Sequence, residues 1–456
     1  MGHRLGILGV LMLALPAAVA AQDTRTVVEP KLPPVCATVD ATLQASGASL
    51  KEADEQKLDT ERIQKAMDGC GKGKGVLLRG HGSVNAFLSG PLELRAGVTL
   101  IVDKGVTLFG SRDAAVYATT PGSCGFVRQT PGPRGCRPLI AVDHAPDSGI
   151  MGNGTIDGRG GEKLLGSPYS WWDLAEQARP GGGQQVPRIL VADYSDNFTL
   201  YIITLKNSPN FHVVYNHGNG FTVWGLKIDT PKRLARNTDG VDPGQGSKNI
   251  TITHSWIRTG DDNVAIKGGP GGVTDMTVSH NHFYWGHGMS IGSETDGGVS
   301  RIRVFDLSLD GPDNGIRIKS NGSRGGLTHD VVYDDVCVRD SPNPITLDTG
   351  YTAAGTVKGN SPPTMRDVTL HNVRVSGGGK ISFNGYDTEH RIATTLDGVQ
   401  LTDKAEYSYS LEHADIRLGP GATNLKLPAG EDSTVQGTPA DAAAARCAEK
   451  FVPFPK

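Results

Sequence analysis

The sequence predicts an all-β solenoid, a right-handed parallel β-helix with a short N-terminal capping helix, and three observations predict it. Gly accounts for 61 of 456 residues, about 13% against a usual ~7%, whereas apolar residues reach only 37% and aromatic residues 6%. Short runs with period-2 apolar alternation recur from about Asn197 onward, starting at Phe198, Phe221, Ile250, Met276, Ile302 and Val331. Their spacing is 23 to 29 residues, a repeat length that suits one coil of a solenoid but carries neither helical periodicity nor the Leu-x-x-Leu-x-Leu pattern of leucine-rich repeats. A β-sandwich also has regularly spaced strands. It does not explain why a second short apolar run in each repeat, such as Val264-Ala-Ile-Lys or Ile316-Arg-Ile-Lys, carries polar residues in register.

Along the chain, Met1–Ala21 reads as a signal peptide. Arg4 supplies the positive end, Leu5 to Leu15 the apolar stretch, and Ala18-Val19-Ala20 or Val19-Ala20-Ala21 the cleavage site. The apolar run is too short to cross a ~30 Å hydrocarbon layer, so the expectation is a secreted, soluble chain. Residues 22–95 form an N-terminal segment in which Thr60 caps an amphipathic helix of about ten residues through Glu61, Ile63, Ala66 and Met67. Solenoids need such a cap. Residues 96–418 are the β-helix, with early coils at Val98-Thr-Leu-Ile-Val, Val106-Thr-Leu-Phe and near Ile150, and residues 419–456 are a Gly-, Pro- and Ala-rich tail with a short helix at 440–450 that packs on the solenoid. Six cysteines in an exported chain favour disulfides. Locality suggests Cys36 with Cys70 and Cys124 with Cys136, leaving Cys337 to tie the tail through Cys447. Paired CxxC clusters are missing, which argues against zinc. The formal charge of −3, with signs interspersed, offers no large field for nucleic acid or an anionic membrane.

Aligning the second apolar runs builds columns. Asp239, Asp262, His287, Asn314 and Asn343 each lie two residues before an aligned apolar residue, with successive gaps of 23, 25, 27 and 29. Stacked coils are one interstrand spacing apart, about 4.8 Å, so Asp239, Asp262 and His287 become neighbours. A second column holds Asp242, Ala265, Ser290, Arg317 and Thr346, and a third holds Lys267, Gly292, Lys319 and Asp348. Adjacent Asp261 and Asp262 would point to opposite faces of a regular strand, so both can serve one site only at a corner or bulge, which Gly260 permits. Clustered carboxylates cannot all ionise cheaply, which leaves a protonated acid beside an ionised base, the requirement for cleaving a glycosidic bond. Arg317 and Lys319 could grip a substrate carboxylate.

Asn237-Thr238-Asp239, Gly260-Asp261-Asp262, Gly286-His287-Gly288 and Arg317-Ile318-Lys319, in this order, resemble the four signature motifs of polygalacturonases, glycoside hydrolase family 28. Weaker similarity, including Ile156-Asp157-Gly158 and Ser170-Trp171-Trp172, extends over most of the chain, and Gly286-His-Gly-Met-Ser-Ile-Gly-Ser-Glu294 looks like bacterial endo-polygalacturonases. The resemblance implies inverting hydrolysis of α-1,4-linked galacturonate in de-esterified pectin without metal or cofactor, by a monomer. It assigns Asp261 as proton donor, Asp239 and Asp262 as the groups that hold and deprotonate water, and His287 as support for the acid. Arg317, Lys319, Asn237, Tyr351, Asp242 and Asp313 follow as substrate-binding residues. Three other readings stay open: an exo-acting hydrolase, with the segments 122–135 and 181–185 as candidates for closing the groove; a Ca²⁺-dependent pectate lyase on the same scaffold; and a non-catalytic β-helical carbohydrate-binding adhesin.

Overall fold

In the computed structural model the described residues are 22–45, 49–130, 132–179, 181–232, 234–352, 359–428, 430, 432–442 and 447–455. The predicted signal peptide, residues 1–21, lies outside them.

The six predicted runs stack residue on residue. Phe198 pairs with Phe221, Phe221 with Ile250, Ile250 with Met276, Met276 with Ile302, and Ile302 with Val331, always in parallel. All six are fully buried, so the period-2 alternation becomes one apolar column running up the inside of the solenoid. Each such side chain gains roughly 1.5–3 kcal/mol from burial, and the alternate residues face out. These runs belong to a 21-stranded sheet, and the second runs form an 11-stranded sheet extending from Leu92–Glu93 to Tyr407–Glu412. A parallel β-helix is the result.

Within each coil of the larger sheet the chain bends at a residue in the left-handed region: Ile202, Gly225, His254, His280, Asp306, Asp335 and Asn372 have φ between 49° and 66°, and a second such residue lies five positions earlier in each. The apolar fill resumes beyond the turn, with Ile203, Leu226, Phe283, Leu307, Val336 and Val373 fully buried.

Strand pairing begins before residue 96 and continues past 418, since Val35–Asp40 stacks on Lys74–Arg79, that strand on Val98–Val102, and Ala414–Leu418 on Thr434–Gln436. The helix Thr60–Asp68 caps the first coils with Ile63 and Met67 buried. Thr60 is not its N-cap. Asp59 occupies that position with its carboxylate accepting from Leu88 N and Arg62, while Thr60 Oγ1 accepts from Gly90 N at 2.8 Å, so the hydroxyl expected to cap the helix instead ties it to the sheet. A second helix, Trp171–Gln177, which the repeat pattern does not anticipate, carries a capping box between Ser170 and Asp173.

Both ends of the chain run back along the solenoid. Gln22 N and Asp23 N donate to Thr277 Oγ1, Thr24 to Asn249 Oδ1, Arg25 to Phe221 O, and Glu29 accepts from Tyr201, so residues 22–29 descend coil by coil toward the first strand. The three expected disulfides are present: Cys36–Cys70, Cys124–Cys136 and Cys337–Cys447. The last anchors a tail in which Lys450 reaches Asp306 and Asp335, Phe451 lies under Arg339 and Phe454 under Arg258. Of the helix expected at 440–450, the described residues hold one 3₁₀ turn, Ala448–Lys450, and residues 443–446 lie outside them.

Candidate active site

The 11-stranded sheet puts the predicted columns in register. Val241 pairs with Val264, Val264 with Met289, Met289 with Ile316, and Ile316 with Ile345. Asp239, Asp262 and His287 each precede their aligned residue by two, and Arg317 sits opposite Ser290.

Asp261 and Asp262 lie in the bend leading into the three-residue strand Val264–Ile266. Gly260 makes the bend possible, since a Cβ there would meet Ala235 O at 2.1 Å, and Gly288, at φ +78°, would meet Asn314 O at 2.0 Å. Asn263 locks the corner: its Nδ2 donates to Ile257 O and Trp285 O and its Oδ1 accepts from Gly288 N, joining the carboxylate bend to the His287 loop. Thr238 Oγ1 accepts from Gly260 N and so joins that bend to the Asp239 loop.

All ten predicted residues converge. Asp262 is 1% exposed; Lys319 Nζ donates to its Oδ2 at 2.7 Å, and Ser290 Oγ and Arg317 Nη1 donate to its Oδ1 at 2.7 and 3.4 Å. Asp261 faces the other way, with His287 Nδ1 3.0 Å from its Oδ1 and Asn237 N donating to its Oδ2 at 3.3 Å. His287 Nε2 lies 3.6 Å from Asp313, which is also paired with Lys232 at 2.8 Å. Tyr351 presents its ring 5.2 Å from both the Arg317 guanidinium and Lys319 Nζ. Asp239 and Asp242 share Lys267, at 3.2 and 3.8 Å, and Asp239 Oδ1 and both oxygens of Asp242 are buried without a hydrogen-bond partner.

Sequence reasoning missed Lys267, Ser290 and Asn263 as site residues. Two had a signal, because Lys267 and Ser290 stand in the same columns as Lys319 and Arg317. Asn263 had none, being one polar residue after two others.

The charges are sorted by these contacts. Burial, then the charge of Asp261, push the Asp239 carboxyl up to about 7, against the opposing pull of Lys267. Burial also raises Asp261, but the hydrogen bond and charge of His287 override it and hold this carboxyl well below the usual range. Burial raises Asp262 as well, and the charges of Lys319, Arg317 and Lys267 together outweigh it, leaving this carboxyl below its ordinary value. His287 is depressed by burial and lifted further by Asp261, with a net rise. These contacts favour protonation of Asp239 and Asp242 and an ionised Asp261 hydrogen-bonded to His287. Coupled groups of this kind titrate as a unit.

Asp261, Asp262 and His287 bring ligand atoms within 4.8 Å of one another, a spacing open to a cation. The donor set opposes one. Both Asp262 oxygens are occupied by Lys319, Arg317 and Ser290, and a dication would sit against two fixed positive charges.

The walls come from loops. Phe126–Arg128 pairs antiparallel with Gly183–Gln185, and Gln184 Nε2 donates to Asn237 Oδ1, so the two segments expected to border the groove meet over the Asn237 end of the site.

The model of glycosyl hydrolases family 28 matches residues 82–416, which contain every residue of this cluster. The chain belongs to glycosyl hydrolases family 28. This family-28 chain is 43% identical over 406 residues to an endo-polygalacturonase of Pectobacterium carotovorum subsp. carotovorum, covering 88% of this chain and 94% of that protein. A polygalacturonase of Ralstonia nicotianae is 38% identical over 494 residues, covering 94% and 92%. The solved polygalacturonase from Erwinia carotovora ssp. carotovora superposes with a TM-score of 0.78 at 42% identity over 86% of this chain and 99% of that one. The family-28 chain is a glycoside hydrolase.

Proposed function

We propose that this enzyme hydrolyses α-1,4-galacturonosyl linkages inside polygalacturonate chains with inversion. The observation that carries the reading is the stack of Asp239, Asp262 and His287 in one register column, flanked by Arg317 and Lys319, within a family-28 chain whose relatives include endo-polygalacturonases. A substrate carboxylate entering beside Tyr351 shares the Arg317 and Lys319 cations with Asp262. Asp261 donates the proton to the leaving oxygen. It receives that proton across the 3.0 Å hydrogen bond from His287, so the imidazole is its reservoir. On the far side of the sugar, Asp239 and Asp262 hold the attacking water and take its proton, which requires Asp239 in its ionised form. Asn237 orients Asp261 through its backbone N–H, and Asp242 and Asp313 border the bound chain. Three disulfides support secretion into an oxidising compartment, and the enzyme acts as a monomer on soluble or wall-bound polymer.

Chromatography of early products from polygalacturonate, with proton NMR of the new anomeric centre, tests this. A spread of oligomers with a newly formed β-anomer is expected. Monomer alone would replace internal cleavage by exo-action, and unsaturated, ultraviolet-absorbing products lost on EDTA treatment would replace hydrolysis by Ca²⁺-dependent elimination.

A further inference from the structure

The corner that carries the carboxylates has a second inward-facing clamp, on the side of Asp239. In the register of the 11-stranded sheet, Val213 pairs with Val241, Val241 with Val264 and Val264 with Met289. The residues just before these form a column of His212, Gly240, Asn263 and Gly288. The glycines stand where a side chain has no room, since a Cβ on Gly240 would meet Asn263 O at 2.3 Å. His212 and Asn263, both 0% exposed, alternate with them. Asn263 joins the carboxylate bend to the His287 loop, whereas the chemistry above gives His212 no task.

A fully buried histidine is costly unless both ring nitrogens find partners, and here both do. His212 N and Nδ1 approach Asp239 O at 2.8 and 2.9 Å. A carbonyl only accepts, so Nδ1 carries the proton. Nε2 then accepts from the Thr230 hydroxyl at 2.8 Å, and Thr230 Oγ1 accepts in turn from Asn207 N at 2.9 Å. Burial pushes the imidazole down to about 4, against the opposing pull of the Asp239 carbonyl, so in neutral solution the ring is uncharged and held in one tautomer.

Thr230, also 0% exposed, uses its backbone as well. It directly follows the strand Lys227–Asp229; its N–H donates to Arg258 O at 3.1 Å, and its carbonyl accepts from Trp285 Nε1 at 2.9 Å. Trp285 lies two residues before His287, and its own carbonyl accepts from Asn263 Nδ2. One tryptophan therefore meets both clamps, Asn263 at its backbone and Thr230 at its indole, with the Arg258 guanidinium 4.5 Å from the ring. An unbroken run of hydrogen bonds leads from Asp239 through His212, Thr230 and Trp285 to the loop of His287. The Asp239 side chain has little else to hold it. Among the described residues its hydrogen bonds reach Lys267 alone, at 3.2 Å, and its Oδ1 has no partner, so the placement of this carboxyl falls to its backbone.

We infer that His212 is a positioning residue for the reaction: seated on Thr230, its neutral imidazole fixes the backbone of Asp239 and, through Thr230 and Trp285, keeps that carboxyl in step with the loop that carries His287. The inference rests on the reading of Asp239 as a group that holds and deprotonates the attacking water. Displacement of a reacting group by about 1 Å can cost on the order of 10²-fold in rate, so a lost anchor should be felt in turnover rather than in substrate binding.

The test uses the full-length secreted enzyme and its Thr230→Val, Thr230→Ser and His212→Asn forms. Thr230→Val keeps the shape of the side chain and removes the hydroxyl, Thr230→Ser keeps the hydroxyl, and His212→Asn keeps a donor near the place of Nδ1 while giving up Thr230. Initial rates on polygalacturonate are measured well below each variant's melting temperature. Thr230→Val and His212→Asn are each expected to lower kcat by about tenfold or more with KM changed by less than about twofold, and Thr230→Ser to stay within about threefold of the parent kcat. Because the two residues act in one run, the double variant Thr230→Val, His212→Asn should be no more than about threefold slower than the slower single variant. Parent kcat in Thr230→Val, with or without a lower melting temperature, overturns the positioning role, as does a rise in KM alone or a double variant whose losses multiply. If His212→Asn does not fold, the Thr230 pair decides by the same readouts. Asp239→Asn separates this inference from the reading beneath it. Parent kcat in that variant removes Asp239 from the chemistry and the inference with it, whereas an inactive Asp239→Asn beside a fully active Thr230→Val sinks the positioning role alone.

Discussion

Two stacks of polar side chains run along this solenoid, one outside the 21-stranded sheet and one beside the 11-stranded sheet, and they are built in opposite ways. In the outer stack Trp224, His254 and His280 lie ring on ring at 4.6 and 5.0 Å, Phe305 closes it at 5.4 Å, and His280 Nδ1 meets Asp306 at 2.6 Å. Its polar atoms face water or a partner. In the inner stack Asp239 and Asp242 are about as buried as the apolar core, with three carboxylate oxygens unpartnered. Identical coil geometry serves both, so a ladder of polar residues is no mark of function. What sets the inner stack apart is three unpartnered oxygens on two neighbouring buried carboxyls that share one cation, Lys267.

The contrast is broken most severely at Asp261. Asp261→Asn keeps the shape of the corner but has no proton to give, and kcat, followed by reducing-end release, should fall by about 10³-fold or more while oligogalacturonate binding changes little. Lys319→Ala comes next. Reading Lys319 as a substrate grip alone predicts a rise in KM. Its 2.7 Å contact with Asp262 adds a loss in kcat, because the carboxylate is then no longer held ionised, so both parameters should worsen by about tenfold or more in initial-rate measurements.

Asp239→Asn sharpens the comparison from the side of stability. With its carboxyl raised from 3.8 to about 7, the neutral form stabilises the fold fully below pH ~4, and that stability is lost as pH rises through about 7. The variant, inactive, should therefore resist urea better than the parent at pH 8 by roughly 4 kcal/mol, with the difference vanishing near pH 4. His280→Ala in the outer stack has the smallest expected effect. Its side chain is 44% exposed, and stability should change by less than about 1 kcal/mol with unchanged kcat and KM.

The parts of the fold visible in the sequence are those generated by the repeat. The runs from Phe198 to Val331 repeat because each coil buries the same alternate positions, and the register of the second runs, Val241 on Val264 on Met289, brings Asp239, Asp262 and His287 together. Asp261 escaped it, because a residue at a corner obeys no strand periodicity, and only its motif marked it. The helix Trp171–Gln177, the 22–29 segment and the Asn263 clamp were illegible for a related reason. Each is a single feature whose partners lie in other coils, so nothing in its neighbourhood repeats. Thr60 illustrates a third kind of miss, in which a tertiary contact with Gly90 takes a hydroxyl that local rules assign to the helix end.

The docking of residues 22–25 has a consequence for the order of assembly. Their landing sites, Phe221, Thr251 and Thr277, lie about two hundred or more residues further along the chain. A chain that emerges amino end first carries this segment unattached until the coils through Thr277 have stacked, so its closure follows theirs, at a loop-closure cost set by that long separation. A segment made early must wait for residues made some two hundred positions later before it can dock.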